Sequence, residues 1–335
     1  MDVTNPEPDE LAHRVVQLWF EDGNLVIQAS NTQFRVYCGI LTVCLPVFQD
    51  MFSFPQPPAA GSELVEGCPI VHLPDPEWEV TPFLRAIFEP ESVFLNLYFF
   101  ISSNFSRFFR PYPAPTEFDT IAGCLRLSHK YGVEYLRHRA LVHLSSAYPT
   151  TLSAADEGPV MGAARLDHVQ DVIQLAREVE APWILPIAFY RLSASFSQLT
   201  KEVLHGTIYT QEAFLSGHNS HIQHAATEIL RFLFNPLDVA DCRSPTECTK
   251  ARVAAVSEMW KDISQAPSIL WKVNDWAILD GVCPACLSIL KETRQTACQA
   301  FWDKLPGAYG LPSWDELEKM KIAAIGEDWY AYSIS

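Results

Sequence analysis

Four cysteines in the C-terminal half of the chain have the spacing of metal ligands. Cys242 and Cys248 form a C-x5-C pair, and Cys283 and Cys286 form a C-x2-C pair in the sequence CPAC. Thiolates two residues apart can reach one tetrahedral zinc ion from a tight turn, and a loop containing Pro245 could close the wider spacing. A structural zinc that links the two segments is one interpretation. Four reduced, partly buried thiols are the other, since free cysteine commonly packs as a small apolar residue.

Other residues that could do chemistry form weaker patterns. His218, His221 and His224 recur every three residues, so on a helix two of them could share a metal. No neighbouring acidic residue completes such a site, and we expect solvated surface histidines. The chain lacks G-x-S-x-G, a glycine-rich phosphate loop and H-E-x-x-H, the motifs that carry common nucleophilic, phosphate and zinc chemistry. A redox role for CPAC lacks its usual strand-before-helix context. We therefore expect no enzymatic activity, with an unrelated enzyme as the disfavoured alternative.

Composition narrows the class of protein. The 335 residues are 48% hydrophobic, which is enough for a sizeable core, and the net charge is −16. An acidic surface repels phosphate backbones and anionic lipid, so we expect protein partners, no nucleic acid and no membrane. Nine cysteines, an odd number, do not suggest a disulfide scaffold. The acidic N-terminus lacks the apolar core of a signal peptide. An intracellular protein is expected, in the cytoplasm or the nucleus.

The first half of the chain alternates strand and helix signals. Two apolar, β-branched runs flank Asp22-Gly23, which predicts a hairpin. Helical spacing follows from Ile40 to Met51, and Pro46 divides it into two short helices. A short strand (CPIVHLPD), a helix, and then two helices broken near Gly132 complete the pattern. This order predicts an α+β domain with a small sheet capped by helices.

Beyond this domain the pattern becomes mainly α-helical. Val169, Val172, Ile173 and Ala176 lie at helical spacing, and Ser313 with Glu316 forms a capping-box pattern. Core packing is expected for the aromatic residues, although Trp183 and Trp302 could instead line a binding groove. The predicted segments are a flexible leader (1–13), the α+β domain (14–149), a linker (150–159) and a helical C-terminal domain (160–335).

Leu18 to about Pro149 resembles the BTB/POZ domain in the order and spacing of its segments. The resemblance rests on LWFEDGNLVIQAS, FRVYCGILTVCLPVFQDMF, CPIVHLPD and CLRLSHKYGVEYLRHRAL. The whole chain is similar to a BTB-containing architecture expanded in fungi, whose helical C-terminal region carries LPIAFYRLS, a CPAC-like pair and FWDKLPGAYGLPSWDEL, all present here.

The resemblance implies a protein–protein interaction module. BTB domains commonly homodimerise through their first helices, and many dock onto cullin scaffolds as substrate adaptors of ubiquitin ligases. Others recruit transcriptional corepressors, which is the alternative function here. Carried onto this chain, the family pattern suggests interface positions at Val43, Val47, Phe48 and Met51. These side chains could equally be buried within one subunit.

Three features depart from the family pattern. Tyr37 stands where a histidine is usual, and Leu45 stands where a serine usually caps the second short helix, a loss of about 1 kcal/mol. Neither change removes the apolar pattern. An atypical insertion occupies residues 92–107, SVFLNLYFFISSNFSR. Our hypothesis is a retained intron in the gene model; a genuine aromatic docking loop and an additional packed helix are the alternatives.

Overall fold

The chain divides into two compact units. The structure is a computed structural model. One unit comprises its described residues up to Leu144, and the other those from Ser145 to Glu327. The residues that the structure describes are 12–53, 63–89, 108–156, 168–194, 208–224, 228, 230–234, 239–263 and 276–327.

A five-stranded sheet forms the front of the first unit. The spatial order of the strands is β1-β3-β2-β5-β4. β2 and β3 pair antiparallel, and β1 and β5 run parallel to their neighbours β3 and β2. The strands are β1 (His13–Trp19), β2 (Leu25–Ala29), β3 (Thr32–Val36), β4 (Leu64–Val65) and β5 (Cys68–Leu73). The predicted α+β class, with a small sheet followed by helices, is confirmed at this level.

The predicted hairpin around Asp22-Gly23 is wrong. β1 and β2 do not pair with each other, because β3 lies between them and bonds to both. The hairpin joins β2 to β3 through Ser30, which takes up the positive φ of 52° that this tight turn needs. The sequence pattern predicts only two strands before the helix pair, whereas the structure has three, with β3 as the additional strand.

The helices of the first unit begin and end at the breaks that the sequence predicts. α1 ends before Pro46, where α2 begins, and Gly132 separates α4 from α5 with a left-handed φ of 71°. The apolar faces of α3 and α4 pack together, and their buried side chains include Val80, Phe83, Ile121 and Leu125. The helices are α1 (Cys38–Cys44), α2 (Pro46–Ser53), α3 (Glu77–Phe88), α4 (Phe118–Tyr131) and α5 (Glu134–Ser146), the last of which ends just beyond the unit boundary.

All regular elements in the described part of the second unit are helices, in agreement with the prediction of helices after the sheet. The spacing of Val169, Val172, Ile173 and Ala176 produces a helix whose apolar face is buried. The α-helices are α6 (Leu152–Asp156), α7 (Val169–Glu178), α8 (Leu185–Ala194), α9 (Ile208–His224), α10 (Arg231–Phe234), α11 (Pro245–Ile263), α12 (Pro284–Ala308) and α13 (Trp314–Ile325). Short 3-10 helices cover Pro182–Ile184 and Trp276–Leu279.

Several predicted segments fall partly or wholly outside the described residues. The insertion at 92–107 lies outside them, as do residues 1–11 of the leader and 157–159 of the linker. In the described part of the predicted linker, α6 forms a helix with Leu152 and Ala155 buried. No helix in the described part of the chain is long and apolar enough to span a bilayer.

Candidate metal centre

Two helix beginnings bring the four predicted cysteines together. Cys242 lies in the loop before α11, and Cys248 lies in the first turn of that helix. Cys283 is the N-cap of α12, whose first turn contains Cys286. α11 packs against the 3-10 helix Trp276–Leu279, which directly precedes the CPAC segment. Proline at the first position of both helices, Pro245 and Pro284, suits a helix start because its fixed φ is already helical.

The sulfur positions match a tetrahedral metal site. All four Sγ atoms lie within 4.8 Å of one another. The Sγ atoms of Cys242 and Cys248 are 3.8 Å apart, as are those of Cys242 and Cys283. A tetrahedral zinc ion with bonds of about 2.3 Å places its sulfur ligands roughly 3.8 Å apart. The four cysteines could therefore bind one metal ion with little rearrangement.

Hydrogen bonds and burial act unequally on the four thiols of the cluster. The backbone N–H of Cys283 donates to Cys248 Sγ at 3.3 Å. The backbone N–H of Cys286 lowers the pKa of the Cys283 thiol to about 7, whereas burial raises the pKa of Cys286. The protons of the cluster are thus shared unequally, and one thiol ionises readily near neutral pH. Bound metal would ionise the remaining thiols, since thiolates and not thiols are its ligands.

No protein-family model matches the chain, and no curated protein and no solved structure matches it either. The positions of the four sulfur atoms are therefore the evidence for a metal site.

The remaining cysteines do not extend the cluster. All nine cysteines are free thiols. Within the described part of the chain, the cluster is the only group of three or more His, Cys, Asp or Glu side chains placed to hold a metal. The CPAC segment follows a 3-10 helix and a turn, not a strand. Metal ligation therefore suits these four thiols better than a thioredoxin-like redox role.

The expectation of solvated surface histidines is wrong for His221. Its side chain is only 1% exposed, because the face of α9 that carries it packs against α8 and α12. A hydrogen bond of 3.0 Å joins His221 Nδ1 to the Tyr309 hydroxyl, which also bonds Ser193 Oγ at 2.9 Å. Burial lowers the pKa of His221 to about 3. This histidine is a neutral part of the core.

The four suggested interface positions differ in exposure. Val43 and Val47 are 59% and 46% exposed, Met51 is half-buried, and Phe48 is only 3% exposed. The Phe48 ring packs 5.6 Å from that of Tyr131, centroid to centroid. Two valines of the helix pair are thus available to a partner, while Phe48 supports the fold of its own unit.

Side chains that sequence reasoning missed position this helix pair. Asn24 Oδ1 accepts the backbone N–H of Cys38 at 2.8 Å, at the start of α1. The hydroxyl of Tyr37 donates to Asp22 Oδ1 at 2.6 Å. Leu45, directly before α2, is fully buried and contributes packing. The Asp-Gly-Asn turn was the available signal, but its role as a helix cap depends on contacts between residues 14 or more positions apart.

Trp183 and Trp302 lie in the core, as predicted, and do not line a groove. Both are almost fully buried. The Trp183 indole donates to Ser145 Oγ at 2.9 Å, and the Trp302 ring stacks on Trp314 with centroids 5.0 Å apart. An open groove of about 540 Å³ lies elsewhere, in the first unit, and is lined partly by the exposed ring of Trp78.

Proposed function

We propose that the chain is a protein-interaction protein whose first unit self-associates through the helix pair α1–α2. The observation that carries this proposal is the exposure of Val43 and Val47 on neighbouring short helices. Each exposed valine leaves apolar surface in water, and burial of its exposed part contributes roughly 0.7–0.9 kcal/mol. A stable dimer of this kind buries on the order of 2,000 Å², so these valines would form only the centre of the interface.

Light scattering during size exclusion tests the self-association. We expect the full chain to be a dimer at micromolar concentration and the double variant Val43→Asp/Val47→Asp to be a monomer. Gln49→Asp is the control for added charge, because it places one of the double variant's two negative charges at an exposed position of α2 and should leave the dimer intact. Circular dichroism must show that both variants keep their helices. A wild-type monomer, or a double variant that remains dimeric, contradicts the proposal.

The more specific role that we propose is docking to a cullin scaffold as a substrate adaptor. It rests on the BTB/POZ resemblance and on the same exposed helix pair. A pull-down with the purified chain should recover a cullin, and Val43→Asp/Val47→Asp should reduce the recovery while Gln49→Asp does not. Phe48→Asp is unsuitable, since Phe48 is buried and a charge there would disrupt folding. Recovery of corepressors without a cullin would support the transcriptional alternative.

For the second unit we propose a structural zinc ion held by Cys242, Cys248, Cys283 and Cys286. Sulfur separations of 3.8 Å carry this proposal. Four protein ligands would close the coordination sphere, which is typical of structural and not catalytic zinc. The metal would link the start of α11 to the start of α12, so its contribution is to stability.

Metal analysis of the purified chain tests the zinc site. We expect about one zinc ion per chain and a large loss of zinc in Cys283→Ser. Cys44→Ser is the control, because Cys44 is half-buried like Cys283 but lies on α1, away from the cluster. Its zinc content should equal that of the wild type. Wild-type protein purified without zinc, and unable to take it up, contradicts the proposal.

A further inference from the structure

We propose that the cysteine cluster is a redox-releasable zinc site, in which a hydroperoxide converts Cys242 and Cys283 into a disulfide and expels the metal. This inference rests on the zinc proposed above and adds a way to regulate it. The product is a disulfide, a covalent bond between the two segments that the metal links.

Unequal exposure selects the two reacting sulfur atoms. Cys248 and Cys286 are each only 3% exposed, whereas Cys242 and Cys283 are half-buried. A hydroperoxide must reach the sulfur that it oxidises, and oxidation follows thiolate character and exposure. The first attack therefore falls on Cys242 or Cys283.

Proximity then selects the disulfide. The Sγ atoms of Cys242 and Cys283 lie 3.8 Å apart although the residues are 41 positions apart in the chain. Cys248 is equally close to Cys242, but its sulfur is buried and accepts the N–H of Cys283. Whichever of the two more exposed sulfurs is oxidised first, the other lies 3.8 Å from it. A disulfide between Cys242 and Cys283, which joins the two segments, is thus favoured over a disulfide within C-x5-C or within C-x2-C.

Disulfide formation needs only the two thiolates and one molecule of hydrogen peroxide. One thiolate attacks the peroxide, so that an S–O bond forms, the O–O bond breaks and hydroxide leaves. The second thiolate attacks the resulting sulfenic sulfur, forming the S–S bond and releasing the oxygen as a second hydroxide. Two electrons pass from the two sulfurs to hydrogen peroxide. Zinc loses two of its four ligands, and the two buried thiols that remain hold it too weakly to retain it.

Oxidation would therefore exchange one cross-link for another. The reduced site links the segments through a metal and four sulfurs, and the oxidised site links them through one disulfide. The segments stay tethered, while Cys248 and Cys286 become free thiols. Reduction with added zinc should restore the original state.

Hydrogen peroxide titration of the zinc-loaded full chain, with a chromogenic zinc chelator present, tests the inference. We expect one zinc ion to be released for each pair of thiols lost, and dithiothreitol with zinc to reverse the loss. Peptide mapping after alkylation should identify a Cys242–Cys283 disulfide. Cys44→Ser, which removes a half-buried thiol outside the cluster, should release zinc at the wild-type rate.

The outcomes separate this inference from the zinc proposal. Zinc that stays bound when peroxide is added, or a disulfide within C-x5-C or C-x2-C, overturns the redox inference and leaves the structural zinc standing. Protein that cannot be loaded with zinc before any peroxide is added overturns both.

Discussion

At the scale of single residues, Tyr309 of the second unit makes several close contacts at once. Its ring lies against the backbone of α9 at Gly217, where a Cβ atom would overlap two ring carbons. Its hydroxyl bonds both Ser193 and His221, and the rings of Phe189 and Tyr309 are 4.8 Å apart. Because polar and apolar contacts converge on one side chain, small changes around Tyr309 should have large effects on the free energy of unfolding.

Gly217→Ala should destabilise the chain. The added methyl group must displace the Tyr309 ring, and overpacking of this kind costs about 1–3 kcal/mol. Gly307→Ala is the matched control: Gly307 also lies inside a helix, and a Cβ there meets nothing within 4 Å. That change should be neutral or stabilise by up to about 1 kcal/mol. Urea unfolding followed by tryptophan fluorescence measures both, and equal midpoints for the two variants would contradict the packing argument.

His221 should make the stability of the second unit fall in acid. Burial lowers its pKa to about 3 in the folded chain, whereas an unfolded histidine titrates near 6.5. Between these values the unfolded chain binds a proton that the folded chain does not. The stability is therefore fully present above about pH 6.5 and falls by up to about 1.4 kcal/mol per pH unit as the pH decreases towards 3.

His221→Phe isolates this effect. The variant removes the titrating group while Tyr309 keeps its bond to Ser193. The free energy of unfolding, measured at several pH values between 5 and 8.5, should fall less steeply below pH 6.5 in the variant than in the wild type. Above pH 7.5 the difference between the two should be constant, which is the internal control. Parallel profiles over the whole range would show that His221 is not the group responsible.

These residues show what sequence patterns could and could not predict. The cysteine spacing predicted the ligand set because each pair lies within one short segment. The three histidines revealed a common helix face but not what covers it. One of the residues that pack against His221 is Tyr309, 88 positions away, and a local sequence pattern does not predict such a contact.

At the scale of elements, helix ends were more predictable than strand order. Pro46, Gly132 and the Ser313–Glu316 pair each act through a few neighbouring residues, and the structure has a helix end at each of them. Strand order is a property of the assembled sheet. β3 lies between β1 and β2 because of pairings on both its edges, and an Asp-Gly turn between two apolar runs does not reveal an intervening strand.

Ser313→Ala should weaken α13. The Ser313 hydroxyl accepts the N–H of Glu316, and the Glu316 carboxylate accepts the N–H of Ser313 at 3.0 Å. Loss of the serine oxygen leaves a first-turn amide without its side-chain acceptor, which costs about 1 kcal/mol. Ser313→Asp keeps an acceptor at the same position and is the control. Thermal unfolding should show a lower midpoint for the alanine variant alone, and an equal loss in both would point to another role for Ser313.

At the scale of the whole molecule, all four proposed zinc ligands belong to the second unit. They link the start of α11 to the start of α12, and the contacts within the first unit do not involve the metal. The proposed self-association, in contrast, uses only α1 and α2 of the first unit. Metal loss and loss of the dimer should therefore be separable.

Removal of zinc by a chelator should loosen the second unit locally. A structural metal stabilises the state that binds it by mass action, so its removal should increase amide hydrogen exchange in residues 239–263 and 276–290. Residues 12–53 should exchange as before. Cys283→Ser supplies the control, because it should already show the faster exchange and should not respond to the chelator. Mass spectrometry of the exchanged peptides distinguishes this result from a uniform increase, which would mean that the metal supports both units. Unchanged exchange in a chain that has lost its zinc would mean that the four sulfurs hold their segments together through packing alone.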